Sequence, residues 1–170
     1  MNGGKLFRER PPFPDVHTHA ALVQRFYEAF ARRDAEAMAA CYHPDVVFSD
    51  RVFGELRGDA ARDMWRMLCA QGKDLVVEAS GIAADDVAGG ARWVATYSFG
   101  NARRRVTNRV RARFGFKDGL IVRHVDSFSL WRWSQMALGP SGALLGWTPM
   151  MQARIRKRAL DGLARFRAAA

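Results

Sequence analysis

The sequence predicts an α+β domain with helices gathered toward its N-terminus, a mostly antiparallel sheet after them, and an added helical extension at the C-terminus. Three observations predict it. Across residues 22–58 the three- and four-residue spacing of an amphipathic helix gives way to a β-branched and aromatic run. Across 75–130 apolar and polar residues alternate in four segments separated by hairpin signals. Beyond 131 the chain is too apolar for a disordered tail, and helical spacing returns from about residue 149.

In the first helix Leu22, Val23, Phe26, Ala29 and Phe30 share a face, while Gln24, Arg25, Glu28 and Arg32 point elsewhere. Asp34 is a natural cap for a short second helix over 35–42, largely alanine, which Pro44 is expected to end. Val46, Val47 and Phe48 then turn the chain into a strand that reaches Ser49 and Asp50 before Gly54 permits a bend. A third helix is predicted over 59–70, with Ala60, Met64, Trp65, Met67 and Leu68 at helical spacing between Gly58 and Gly72.

Four strands are expected next, over 75–82, 91–99, 105–116 and 120–130, the last two joined by a turn at Lys117-Asp118-Gly119. Alternation assigns their faces. Trp93, Ala95, Tyr97 and Phe99 are placed inward. Val106, Asn108, Val110, Ala112, Phe114 and Phe116 share an apolar face directed at the helices, with Arg109, Arg111 and Arg113 on the opposite one. In the last strand Val122, His124, Asp126 and Phe128 share one side and Ile121, Arg123, Val125 and Ser127 the other. Both sides are mixed, which leaves the inward one open.

In the extension, Gly139-Pro140-Ser141-Gly142 splits an apolar run that includes Trp131, Trp133, Leu144, Leu145 and Trp147. Thr148-Pro149 signals a final helix to about residue 166, with Ile155, Ala159, Leu163 and Phe166 on one face and basic residues around it. This part is expected to lid a pocket or join a second subunit, with contact to an anionic membrane surface as the further option. The predicted organisation is an N-terminal tail over 1–18, an α+β domain over 19–133 and a packed helical extension over 134–170.

Composition fits one domain. A chain of 170 residues buries about two-thirds of its unfolded surface, and 49% hydrophobic residues can supply the core. Cys41 and Cys69 make no disulfide framework, which points to a reducing cytoplasm. No apolar run suits a secretory signal or approaches the roughly 20 residues of a membrane span. The net charge of +10 attracts anionic partners without identifying one, and the arginine-rich strand face lacks the interleaved aromatics of a nucleic-acid platform, so no nucleic acid is expected. Asp15-Val16-His17-Thr18-His19 matches a metal-hydrolase D-x-H-x-H, but the prolines before it preclude the required central strand, so helix entry is expected and no metal site. No cofactor is expected: no dinucleotide-binding or Walker loop occurs.

The pattern FYEAFARRDAEAMAACYHPDVVFSD, followed by G-x-x-x-G-x-x-A, resembles the opening of the nuclear-transport-factor-two-like superfamily, which includes SnoaL-like polyketide cyclases, ketosteroid isomerases and limonene epoxide hydrolases. The resemblance runs over about residues 19–133. It implies a cone-shaped, curved sheet wrapped around the N-terminal helices, a small-molecule pocket inside, and a homodimer formed through the sheet's open face. It is specific for fold and poor for chemistry, because this scaffold serves unrelated reactions and simple binding alike.

Phe26, Phe48, Trp65, Trp93, Tyr97, Phe114 and Phe128 would wall an apolar pocket, or else fill a solid core. Asp50, His124, Asp126, Asn108, Tyr27, Tyr42 and His43 are the polar candidates. Asp50, between Phe48 and Phe53, would lose hydration and gain basicity, or simply cap the turn after it. The resemblance puts Asp50 where the isomerases hold their general base. Their donor tyrosine would fall at Phe26 and their protonated aspartic acid at Ala112, neither of which donates, so steroid isomerisation is not expected. The cyclases' late-sheet aspartate matches Asp126, with His124 two residues away on the same face. Asp126, Asn108 and Tyr42 could form part of an epoxide hydrolase set, whose inward arginine is missing. The expected function is binding of a small, largely apolar organic molecule with an acid/base step of isomerase, cyclase, dehydratase or hydrolase type, or else a non-catalytic binding or assembly module.

Overall fold

The computed structural model describes residues 18–169. In chain order these form α1 (Thr18–Ala31), α2 (Ala35–Ala40), β1 (Tyr42–Asp50), β2 (Gly54–Arg57), α3 (Asp59–Gln71), β3 (Val76–Ala84), β4 (Ala88–Phe99), β5 (Arg104–Lys117), β6 (Leu120–Ser127), α4 (Leu130–Leu138), α5 (Pro140–Leu145) and α6 (Pro149–Ala168). One curved six-stranded sheet has the order β2-β1-β6-β5-β4-β3. Every pairing is antiparallel except β1 with β6, which is parallel.

Burial follows the periodicities. In α1 the face of Leu22, Val23, Phe26, Ala29 and Phe30 is buried together with Tyr27, and α3 buries Ala61, Met64, Trp65, Met67 and Cys69. Both faces lie against the inner side of the sheet, where Ala91, Trp93, Ala95, Val110, Ala112 and Phe114 complete one core. The β5–β6 hairpin turns through Asp118 (φ 52°) and Gly119 (φ 74°), two successive left-handed residues that suit the twist of a tight hairpin. Arg109, Arg111 and Arg113 are exposed on the other side, as alternation requires.

Several local expectations are corrected. The second helix stops at Ala40, and Pro44 lies inside β1 instead of ending the helix. It sits where the β1–β6 register shifts between Tyr42 and Val47, an irregular stretch that tolerates a residue with no N–H to offer the ladder. The hairpin strand β2 is an addition: only Leu56 of its four residues is buried, so hydrophobic pattern alone does not mark it. In α3 the buried face is turned toward Ala61 and Cys69, leaving Ala60 and Leu68 half-buried. In β6, Ile121 and His124 both point inward and Val122 outward, because the β5–β6 register shifts at Gly115/Phe116 and breaks strict alternation.

One side of the C-terminal segment packs on the α+β domain. Leu130, Trp133 and Ala137 of α4 form a second cluster with Val106 of β5, against which Val52, Tyr97, Phe99, Phe128 and Ile155 pack. Val106, Tyr97 and Phe99 lie on the inner face near the β4–β5 hairpin, so α4 covers that end of the sheet. The Trp133 indole donates to Tyr97 Oη at 2.8 Å. Helix α6 runs back across α3, adding Leu163, Ala159 and Phe166 to the main core and bonding Arg167 Nε to Asp63 Oδ2 at 2.8 Å. The division expected at 133/134 therefore falls inside α4. No helix among the described residues is long and apolar enough to cross a membrane.

Candidate functional site

The ladder arranges the interior in rungs. Phe48 of β1, His124 of β6 and Phe114 of β5 are register partners, and the next inner-face rung holds Asp126 beside Ala112, with Ala91 of β4 beyond. The parallel β1–β6 pairing, continued one residue pair past Ser49 and Val125, brings Asp50 level with Asp126. Two alternating positions on β6 thus face His124 and Asp126 into the cone, where they are 0% and 5% exposed.

Their partners come from three other elements. The Trp65 indole of α3 donates to Tyr42 Oη at 2.7 Å, and Tyr42 Oη lies 2.7 Å from His124 Nδ1. His124 Nε2 lies 3.0 Å from Asp126 Oδ1, which also accepts the Trp93 indole at 3.2 Å. Indoles only donate and a carboxylate only accepts, so one tautomer, with the imidazole proton on Nε2 and Tyr42 donating to Nδ1, gives every atom of this string a partner. Sequence reasoning places Trp65 and Trp93 in the wall and misses their polar role. A legible signal exists, since a buried indole N–H needs an acceptor.

Around this string the predicted wall closes tightly. The His124 ring lies 4.5 Å from Phe114, 5.2 Å from Phe48, 5.4 Å from Phe26 and 5.9 Å from Trp65. One polar atom is left over: Tyr27 Oη, on a residue 2% exposed, is the only buried side-chain nitrogen or oxygen without a partner among the described residues. Burial first, then the nearby Asp126 carboxylate and Tyr42 oxygen, push its pKa well above the usual 10. Tyr42 is likewise raised, chiefly by burial. Both remain hydroxyls able to donate.

Asp50 is largely desolvated and also caps a turn. Its Oδ1 accepts from the backbone N–H of Val52 at 2.9 Å and of Phe53 at 2.6 Å, which caps the turn into β2. Those bonds favour the charged form, yet desolvation outweighs them, and with some contribution from Asp126 the pKa rises from 3.8 to about 6. Tyr97 and Phe128 lie half-buried under α4, and Asn108 is half-buried between Val106 and Val110 on the inner face. His43 stands apart, bonded to Asp118 at 3.3 Å and to the Asp45 amide at 3.0 Å. Of the metal-like motif, Asp15 and His17 lie outside the described residues. His19 sits in α1, stacked on Phe116 with its Nδ1 2.9 Å from the Asp85 carbonyl. Two depressions, of about 300 and 580 Å³, lie along the sheet; neither is lined by Tyr27, Tyr42, His124 or Asp126.

A curved sheet wrapped over two helices, with a buried carboxylate–imidazole pair on its inner face, defines a class of α+β domains. The family model for the SnoaL-like domain matches residues 23–124, more than half of the sequence, and the chain belongs to that family. Solved structures agree on the fold. A putative polyketide cyclase from Xanthomonas campestris pv. campestris is 24% identical, with a TM-score of 0.59 over 71% of this chain and 96% of its own. An LEH-like epoxide hydrolase of M. tuberculosis is also 24% identical, with a TM-score of 0.59 over 78% of this chain and 98% of its own. A hypothetical protein from Catenulispora acidiphila with a ketosteroid isomerase-like fold, in complex with trimethylamine, is 15% identical, with a TM-score of 0.62 over 75% and 97% of the two chains. No curated protein matches the sequence.

Proposed function

We propose that this protein binds a small, largely apolar organic molecule inside the cone, with Asp126 as the proton-transferring group. The observation that carries this reading is the unpartnered Tyr27 hydroxyl, buried within the field of the Asp126 carboxylate. Leaving a hydroxyl buried and unbonded costs roughly 1–3 kcal/mol, and a guest carbonyl or hydroxyl oxygen would remove that cost. Bound there, the oxygen accepts from Tyr27 while Asp126 exchanges a proton with the neighbouring atom of the guest. His124, oriented through Tyr42 and Trp65, positions the Asp126 carboxylate. Asp50, whose pKa is about 6, supplies a second carboxyl that is partly protonated near neutrality, as acid/base pairs require. The aromatic wall favours a cyclic or aromatic guest. A homodimer in the cytoplasm completes the reading.

A non-catalytic assembly module is the second reading, favoured by the rings packed around His124 and by α4 packed on Val106, Tyr97 and Phe99. Extraction and mass spectrometry of molecules that copurify with the wild type, Tyr27→Phe and Asp126→Asn separate the two. A bound organic molecule in the wild type, weakened by Tyr27→Phe and left unconverted by Asp126→Asn, supports the enzyme. No copurifying molecule in any of the three proteins sinks it in favour of the assembly module.

A further inference from the structure

Opposite its packed side, the C-terminal segment presents an apolar surface that nothing described covers. Leu144 is 73% exposed, Met150 67%, Trp147 64%, Trp131 44% and Leu145 43%. They form one patch: the Trp131 indole donates to the Ala143 carbonyl at 3.1 Å and joins α4 to α5, while the Trp147 indole donates to the Leu144 carbonyl at 3.0 Å at the entry to α6. Both indole N–H groups are thus already bonded. What these side chains offer outward is apolar, and covering them strands no donor.

The surroundings are basic. Between Asp126 and Asp161 the sequence holds no Asp or Glu, only Arg132, Arg154, Arg156, Lys157 and Arg158. The Arg104 guanidinium lies against Gly139 where α4 meets α5. Arg104, Arg132, Arg154 and Arg158 are exposed and form no ion pair among the described residues. We infer that this face docks onto the surface of an anionic lipid bilayer, with Trp147, Leu144 and Met150 entering the boundary between headgroups and acyl chains and the arginines meeting lipid phosphates. Exposed tryptophan with aliphatic side chains, ringed by cations, is the chemistry of interfacial binding. A second copy of this chain fits poorly, because a two-fold contact places the patch on itself and would press two sets of unpaired arginines together with no carboxylate between them. The inference does not depend on the pocket reading.

The test uses the full chain in sedimentation with vesicles of phosphatidylcholine alone and of phosphatidylcholine with phosphatidylglycerol, together with tryptophan emission. Binding confined to the anionic vesicles, with a blue-shifted emission, is expected. Leu144→Ser with Trp147→Ser should weaken it about tenfold or more, and each of Arg154→Gln and Arg158→Gln about fivefold, with the thermal transition of every variant retained as a control on folding. Absence of binding to anionic vesicles at low salt overturns the inference. Binding that ignores the Leu144/Trp147 change also overturns it, as does a concentration-dependent dimer that this change abolishes.

Discussion

At the scale of single residues, Tyr27 and Asp50 carry the energetic anomalies of the fold. Tyr27 Oη is buried without a partner, so Tyr27→Phe in ligand-free protein should raise stability by about 1 kcal/mol, read as a shift in the denaturation midpoint. A drop of that size would mean the hydroxyl is bonded in solution. Asp50 has a folded pKa of about 6 against an ordinary 3.8, so the folded chain holds this proton more tightly than the unfolded one. Its contribution to stability is therefore full below about pH 4 and is lost as pH rises through 6. Asp50→Asn keeps an oxygen for the Val52 and Phe53 amides and removes the buried charge. It should match the wild type near pH 4 and exceed it by about 2 kcal/mol at pH 7.5, which a series of denaturation curves across that range measures. Sequence reasoning reaches Asp50, His124 and Asp126 from strand alternation and neighbouring aromatics. It does not see that Trp65 and Tyr42 hold the imidazole, because partners 23 and 82 residues apart are brought together only by folding.

Among the elements, α4 and α5 show how a close approach is written in small residues. A side chain at Gly142 would collide with the Ser134 carbonyl, and one at Gly146 with the Ser134 hydroxyl, so α5 lies directly on α4. Gly142→Ala should force the two apart at a cost of about 1–3 kcal/mol, seen as a lower Tm. An unchanged Tm would mean that α5 does not pack on α4 in solution. Trp133 is buried against Val106 and bonds Tyr97, so Trp133→Ala opens a cavity there and should cost about 3–5 kcal/mol. Under the pocket reading it should also speed ligand exchange, which a displaced fluorescent probe would follow. The sequence shows the cluster of large apolar residues but runs the last strand to residue 130, and the helix there is seen only in the fold. So is its seat on Val106, Tyr97 and Phe99, because pattern identifies an apolar face but not the surface that receives it.

For the whole molecule, the charge is unbalanced, at +10. Arg92 and Arg111 are register partners on adjacent strands, with Arg109 and Arg113 further along the same face of β5, and these arginines form no ion pair among the described residues. Like charges directly opposite destabilise a sheet, and the net charge of +10 adds to the repulsion. Thermal stability should therefore rise with salt between low and physiological ionic strength, more with phosphate than with chloride, as differential scanning would record. A flat response would mean the charges are already neutralised by something bound. The same repulsion opposes a homodimer formed through the bare sheet face, so sedimentation equilibrium against salt tests the dimer: pairing through that face should tighten as salt increases.

The sequence by itself determined the class of fold, the inward apolar faces, the hairpin at Asp118-Gly119 and the pair of ionisable residues on β6, because helix and strand periods and turn chemistry act over a few neighbouring residues. Tertiary structure alone decided the rest. The parallel β1–β6 pairing set Asp50 level with Asp126, the register shifts turned Ile121 inward and Val122 outward, and α4 was placed over the end of the cone. Each of these depends on contacts between distant segments, and no local pattern encodes the free energy of choosing among them.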